Sequence, residues 1–187
     1  MKIKTTKTVT FQSKMEAVTW LAEYYGRDDT STGLMERAGG EQACYYLEPS
    51  SGSRALAPGG HCAIGSILSY AGYSHEDLCQ AGCDNSQNAQ TVVEKMGLMI
   101  KDTPTDCSGD LLNWNFWGTL QEVHDTVAMA GATDGKLLAQ IYKRNANVLA
   151  ESDFDKRGAF IKNLRLIMSG SVPPEPMEGD LPMEWEV

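Results

Sequence analysis

Short helical runs, most of them closed by a glycine, dominate this chain and limit it to a bundle of brief helices. Residues 15–25 place Val18, Leu21 and Tyr25 on one helical face and stop at Gly26. Ser13, with Glu16 three residues on, has the form of a capping box and marks where that helix starts. A second run leaves Cys62 and ends at Gly72, and Ser74 with Asp77 caps a short helix reaching Gly82. Asn85 or Ser86 is read as the start of the next, which carries Val92, Val93 and Met96 to Gly97. Thr119 with Glu122 repeats the capping-box pattern and leads Val123, Val127 and Ala130 to Gly131. Thr133 or Asp134 then caps a run with Leu137, Leu138, Ile141, Tyr142 and Leu149, and Ser152 or Asp153 caps the last, with Phe160, Ile161, Leu164 and Ile167 on its buried side. Glycine suits the end of a helix because it enters the left-handed conformation at no steric cost.

Strand signals are few. Residues 2–11 alternate Ile3, Thr5, Lys7, Val9 and Phe11 with mostly Lys or Thr, as in a half-buried strand or an extended arm. Residues 34–47 read as a helix weakened by Gly39-Gly40 or, over 43–47, as a short strand. Residues 98–100 suit another short strand, and 48–60 and 101–109 are loops by composition. The expected fold is therefore mainly α, or α+β with a minor sheet: a compact bundle of six or seven short helices with two or three short strands. At 187 residues the chain suits one domain with a core large enough to need no disulfide or metal staple. That domain is expected over 1–171. Residues 172–187, opening with Pro173, Pro174 and Pro176, read as a flexible acidic tail.

The formal charge of −9, with only 16 Lys and Arg, argues against direct nucleic-acid binding, which rests on clustered cations. The five acids of the tail account for −5 of it, so the body is only mildly acidic. No apolar run reaches the eighteen residues of a spanning helix, and the N-terminus lacks a signal-peptide pattern. Five irregularly spaced cysteines fit reduced thiols, so the expected setting is the cytoplasm, that of a host if the chain is phage-encoded. The tail also interleaves Leu181, Met183 and Trp185 with Glu184 and Glu186, a pattern that docks as an extended peptide in a basic-rimmed groove. These five residues are the expected binding set, and the expected partner is a protein with a basic surface.

Chemistry-bearing residues are sparse. Cys62 stands where a helix dipole favours thiolate, so it is a candidate nucleophile with His124 or His75 as base. The bland reading is that Cys62, Gly65, Ser66 and Ser69, at i, i+3, i+4 and i+7, form a small-residue stripe against which another helix packs. His75, Cys79 and Cys83 recur at i, i+4 and i+8 and, with Cys107, supply four ligands of zinc-compatible type. No paired CxxC occurs, however, and Gly82 interrupts the helix before Cys83, so neither metal nor cofactor is expected. Trp114, Phe116 and Trp117 offer a binding patch, but at least two of them are expected in the core. No phosphate loop, HExxH or GxSxG is present.

Three pieces in order, Cys62-Ala63-Ile64-Gly65-Ser66-Ile67, then Met96-Gly97-Leu98, then Trp114-Asn115 with Thr119-Leu120-Gln121-Glu122-Val123, resemble an uncharacterised family of small actinobacterial and phage proteins. That pattern runs Cys-x-x-Gly-Ala-[Leu/Ile], an Asn-Asp pair, then Thr-x-x-Glu-Val, and the likeness covers residues 60–130. Here Phe116 stands in place of the pair's Asp. The resemblance implies a helical fold and a bacterial or phage setting, and no activity. The chain is thus expected to be a non-enzymatic acidic protein that binds another protein, as a phage-type accessory protein modulating a host factor would. The alternatives are a cysteine-dependent hydrolase or transferase using Cys62, and a phage structural or assembly component.

Overall fold

A computed structural model describes residues 9–28, 30, 35–36, 42–43, 46–47, 61–84, 87–101, 111–131, 135–151 and 154–170. In chain order these form β1 (Val9–Phe11), α1 (Lys14–Tyr25), β2 (Met35–Glu36), β3 (Gln42–Ala43), α2 (Ala63–Tyr70), α3 (His75–Gln80), α4 (Ala89–Met96), β4 (Leu98–Ile100), α5 (Leu111–Met129), α6 (Gly135–Arg144), α7 (Ala146–Ala150) and α8 (Phe154–Met168). The fold is mainly α with a minor sheet, as the sequence leads one to expect. No described helix is long and apolar enough to cross a membrane.

Helix α5 is the hub, touching α2, α4, α6, α7 and α8, while α1 packs on α2, α6 and α7. Leu21, Ile64, Phe116, Leu120, Leu138 and Leu164 are all sealed from solvent in the shared core. A parallel ladder joins β1 to β4 with Val9 opposite Leu98 and Phe11 opposite Ile100, and Lys101 N–H extends it to the Phe11 carbonyl. A parallel pair needs a long crossover, and α1 to α4 supply it. It sets Phe11 inward, 6.4 Å from the Trp20 ring and 6.2 Å from that of Trp117.

Most predicted helix ends are where the caps place them. Ser13 Oγ accepts from Glu16 N–H, and Glu16 in turn accepts from Gln12 N–H. Ser74 and Asp77 form the full reciprocal box. Gly97 closes α4 at φ 72°.

Two expectations fail, and one open alternative is resolved. The Thr119/Glu122 pattern starts nothing, because α5 runs unbroken through it. Phe116, Leu120, Val123 and Val127 fall at i, i+4, i+7 and i+11 and all are buried, so the helical stripe begins before Thr119. Helix α4 is capped by Asn88, whose Oδ1 accepts from Thr91 N–H, and not by Asn85 or Ser86. Residues 34–47 are not one helix: β2 and β3 pair antiparallel, Met35 opposite Ala43, with Gly39-Gly40 between them. Phe116 and Trp117 are core, as expected. The arm before Val9, the loops at 48–60 and 102–110, the caps at 133–134 and 152–153 and the tail at 172–187 lie outside the described residues.

Candidate functional site

Cys62 is the N-cap of α2, in extended conformation, and its side chain makes no capping hydrogen bond. Its carbonyl accepts from the Ser66 N–H and Oγ–H, as a cap's carbonyl should. Tyr25 of α1 donates its hydroxyl to the His61 carbonyl at 2.7 Å and lies 3.0 Å from Ser66 Oγ. Gln121 of α5 reaches the same helix end. Its Oε1 accepts from Ile64 N–H, and its amide donates to Asp125 Oδ1 at 2.8 Å. Asp125 Oδ1 also sits 2.9 Å from His124 Nδ1. The His124 ring in turn packs 5.9 Å from that of Tyr25, which stacks on Tyr142 at 6.1 Å. Tyr142 donates to the Leu120 carbonyl.

The structure therefore gathers Cys62 and His124 around one polar cluster, buried except toward Gln121 and Asp125, that ties α1, α2, α5 and α6 together. His75 is elsewhere, on α3, where its neighbour is Cys79. Burial drives the phenols of Tyr25 and Tyr142 well above their ordinary range, and the proximity of Cys62 adds to both shifts. Chemically, Asp125 holds His124 at Nδ1, which fixes the tautomer and tilt of the imidazole. Access is what the cluster lacks. Cys62 is 1% exposed and His124 0%, so the apolar layers that seal the core also seal the sulfur. Iodoacetamide on the folded, metal-free protein should alkylate exposed Cys79 on the order of a hundredfold faster than Cys62 or Cys83, which react only through opening. Peptide mapping reads the order, and early labelling of Cys62 would favour catalysis.

Of the four possible metal ligands, two come together: Cys79 Sγ lies 3.7 Å from His75 Nδ1. Cys83 follows Gly82 at φ 71°, is buried, and faces the Thr91 carbonyl, while Cys107 lies outside the described residues. Among the described residues no three potential ligands converge. The small stripe also works differently from expectation. Over Gly65 it is the Tyr46 backbone that approaches, and Ser66 meets Tyr25 of α1.

A surface feature was missed. Half-buried Trp20 and buried Tyr24 stack at 5.2 Å along α1, and Tyr70, from the end of α2, stands edge-on to Trp20 at 5.3 Å and carries the stack to the surface. Arg27 lies over both the Tyr24 and Tyr70 rings, at 5.5 and 5.8 Å. Tyr70 is 65% exposed. The i, i+4 spacing of Trp20 and Tyr24 was visible in the sequence, whereas the arrival of Tyr70 depends on how α2 packs against α1. The tail residues Leu181, Met183, Glu184, Trp185 and Glu186 lie outside the described residues.

No family model, curated protein sequence or solved structure matches this chain.

Proposed function

We propose that this chain acts by binding another protein and that the Trp20–Tyr24–Tyr70–Arg27 platform is the centre of the contact. The observation that carries the reading is the exposure of Tyr70 on an ordered aromatic ladder. A folded protein gains nothing in core burial from a phenol left two-thirds in water, whereas Trp, Tyr and Arg are the residues on which binding energy concentrates. Ring stacking and the Arg27 guanidinium hold the side chains in place, so little rotamer entropy is lost on association. Along α1 the exposed carboxylates of Glu16 and Glu23 flank Trp20, four residues before and three after it. That acidic rim, with the net charge of −9, suits a partner offering an apolar side chain within a basic border. The tail, with Leu181, Met183, Trp185, Glu184 and Glu186, adds a second acidic element for the same basic surface. The motifs at residues 62–67, 96–98 and 114–123, read as resembling small actinobacterial and phage proteins, would fit an accessory role in which the partner is a host factor.

The test begins with a pull-down from the source cell by the full chain. Tyr70→Ala should lose the captured partner while melting within about 4 °C of the parent, because only two exposed contacts, with the Trp20 ring and the Arg27 guanidinium, are removed. A pull-down unaffected by this substitution would remove the platform from the contact. A cysteine-dependent hydrolase or transferase remains the second reading, favoured by the His124–Asp125 pair in the cluster around Cys62. The order of thiol labelling separates the two.

A further inference from the structure

We infer that His75 and Cys79 on α3 form a two-ligand chelate for a borderline-soft divalent cation of the zinc type. The two residues are one helical turn apart, so their side chains leave α3 on the same side. Both ring nitrogens already lie close to the sulfur, Nδ1 at 3.7 Å and Nε2 at 3.9 Å. With Zn–S of about 2.3 Å and Zn–N of about 2.0–2.1 Å, a tetrahedral ion holds its sulfur and nitrogen ligands about 3.6 Å apart. The observed separation, that of a thiol–imidazole hydrogen-bond contact, is also close to the span such an ion requires. Turning the half-buried imidazole about its broad terminal torsion aims a lone pair at the ion.

The surroundings suit a cation. Cys79 is exposed and His75 half-buried, so an ion enters without opening the fold. Glu76 and Asp77 lie on the same helix, and the chain as a whole is strongly anionic. The helix itself is fixed independently of any metal, by the Ser74–Asp77 capping box and by the buried side chain of Leu78. The site is thus preformed on an anchored turn. Cys83 takes no part, because Gly82 turns the chain and buries that thiol against the Thr91 carbonyl. Two protein ligands leave the remaining coordination positions to water or to a partner's side chain, as in an open rather than a closed zinc site. This inference concerns α3 and does not depend on the aromatic platform.

Cobalt(II) is the probe, because a thiolate bound to it gives a charge-transfer absorption that carboxylates and imidazoles alone do not. The reduced full chain titrated with Co²⁺ should develop this absorption with one equivalent bound, and Zn²⁺ should displace it. Cys79→Ser should abolish the band, and His75→Ala should weaken the apparent affinity about tenfold or more, while Cys62→Ser and Cys83→Ser leave it in place. Zn²⁺ should also slow alkylation of Cys79 in the parent chain, as read by peptide mapping. Absence of the band, or a band that survives Cys79→Ser, would overturn the assignment.

Discussion

Gly65→Ala should be among the most damaging single substitutions in the described structure, lowering stability by about 3 kcal/mol or more. A methyl group built at this position would stand 2.2 Å from the Tyr46 carbonyl oxygen and within 3.0 Å of its carbonyl carbon and Cα. Those are backbone atoms, so no side-chain rotation relieves the clash. Either α2 or the chain at Tyr46 has to move. Both are pinned. Gly65 sits between Ile64 and Ser66 in a turn of α2 with no exposed residue, and the Tyr46 hydroxyl donates to the Gln87 carbonyl just before α4. For a domain of this size a loss of about 3 kcal/mol corresponds to a fall in Tm of roughly 10 °C. Gly118→Ala is the control, since a methyl group there meets nothing within 4 Å and the change improves helix propensity. Thermal melts of the two variants should therefore move in opposite directions. A Gly65→Ala protein that melts with the parent would mean that the Tyr46 segment does not lie against α2.

Alkaline pH should unfold the protein cooperatively, and steeply. Tyr25, Tyr142 and Tyr46 are all buried, and burial is the main cause that raises each phenol above its usual 10.0. In the unfolded chain these tyrosines ionise near that value, while in the fold they keep their protons. Above pH 10 the native state thus binds more protons than the unfolded state, and stability falls as pH rises. Below about pH 9 the effect vanishes, because both states are protonated. Each such tyrosine contributes a slope of about 1.4 kcal/mol per pH unit once its unfolded form is ionised, and three together give about 4. For a stability in the lower part of the typical range, about 5–8 kcal/mol, this places the midpoint at roughly pH 11–12, and a more stable fold would need a higher pH. Phenolate absorbance and far-UV circular dichroism should change together there, with about three of the seven tyrosines titrating only as the helices melt. Smooth ionisation of all seven near pH 10, with the helices intact, would contradict the burial of this cluster. Tyr142→Phe should flatten the slope by about a third, although its lost bond to the Leu120 carbonyl lowers stability at neutral pH.

Local chemistry made much of this fold legible. Ser13, Ser74 and Gly97 act at helix ends through groups at most four residues away, so their patterns carry their meaning in the sequence. Thr119 shows the limit of that logic. Its spacing to Glu122 is right for a cap, but Phe116 and Trp117 bury on the same helix and carry it through the threonine. The choice left open over residues 34–47 turned on the pairing of Met35 with Ala43, which no local pattern shows.

The candidate sites divide in the same way. Cys62 was legible as an N-cap, and His75 with Cys79 as an i, i+4 pair. What joins His124 to the end of α2 is not local, because Gln121, held by Asp125 on α5, reaches Ile64 of α2 only after both helices pack. The depth of Cys62 is likewise a property of the whole core. The platform was half legible: Trp20 and Tyr24 are neighbours on α1, but Tyr70 and Arg27 join them through tertiary packing and loop geometry.

Binding through that platform is the central claim, and the affinity of the purified partner for the full chain tests it most directly. Titrated side by side, Tyr70→Ala should weaken the Kd about tenfold or more relative to the parent, as loss of a central hot-spot side chain does, with the fold intact by circular dichroism. An unchanged Kd for Tyr70→Ala would contradict the claim.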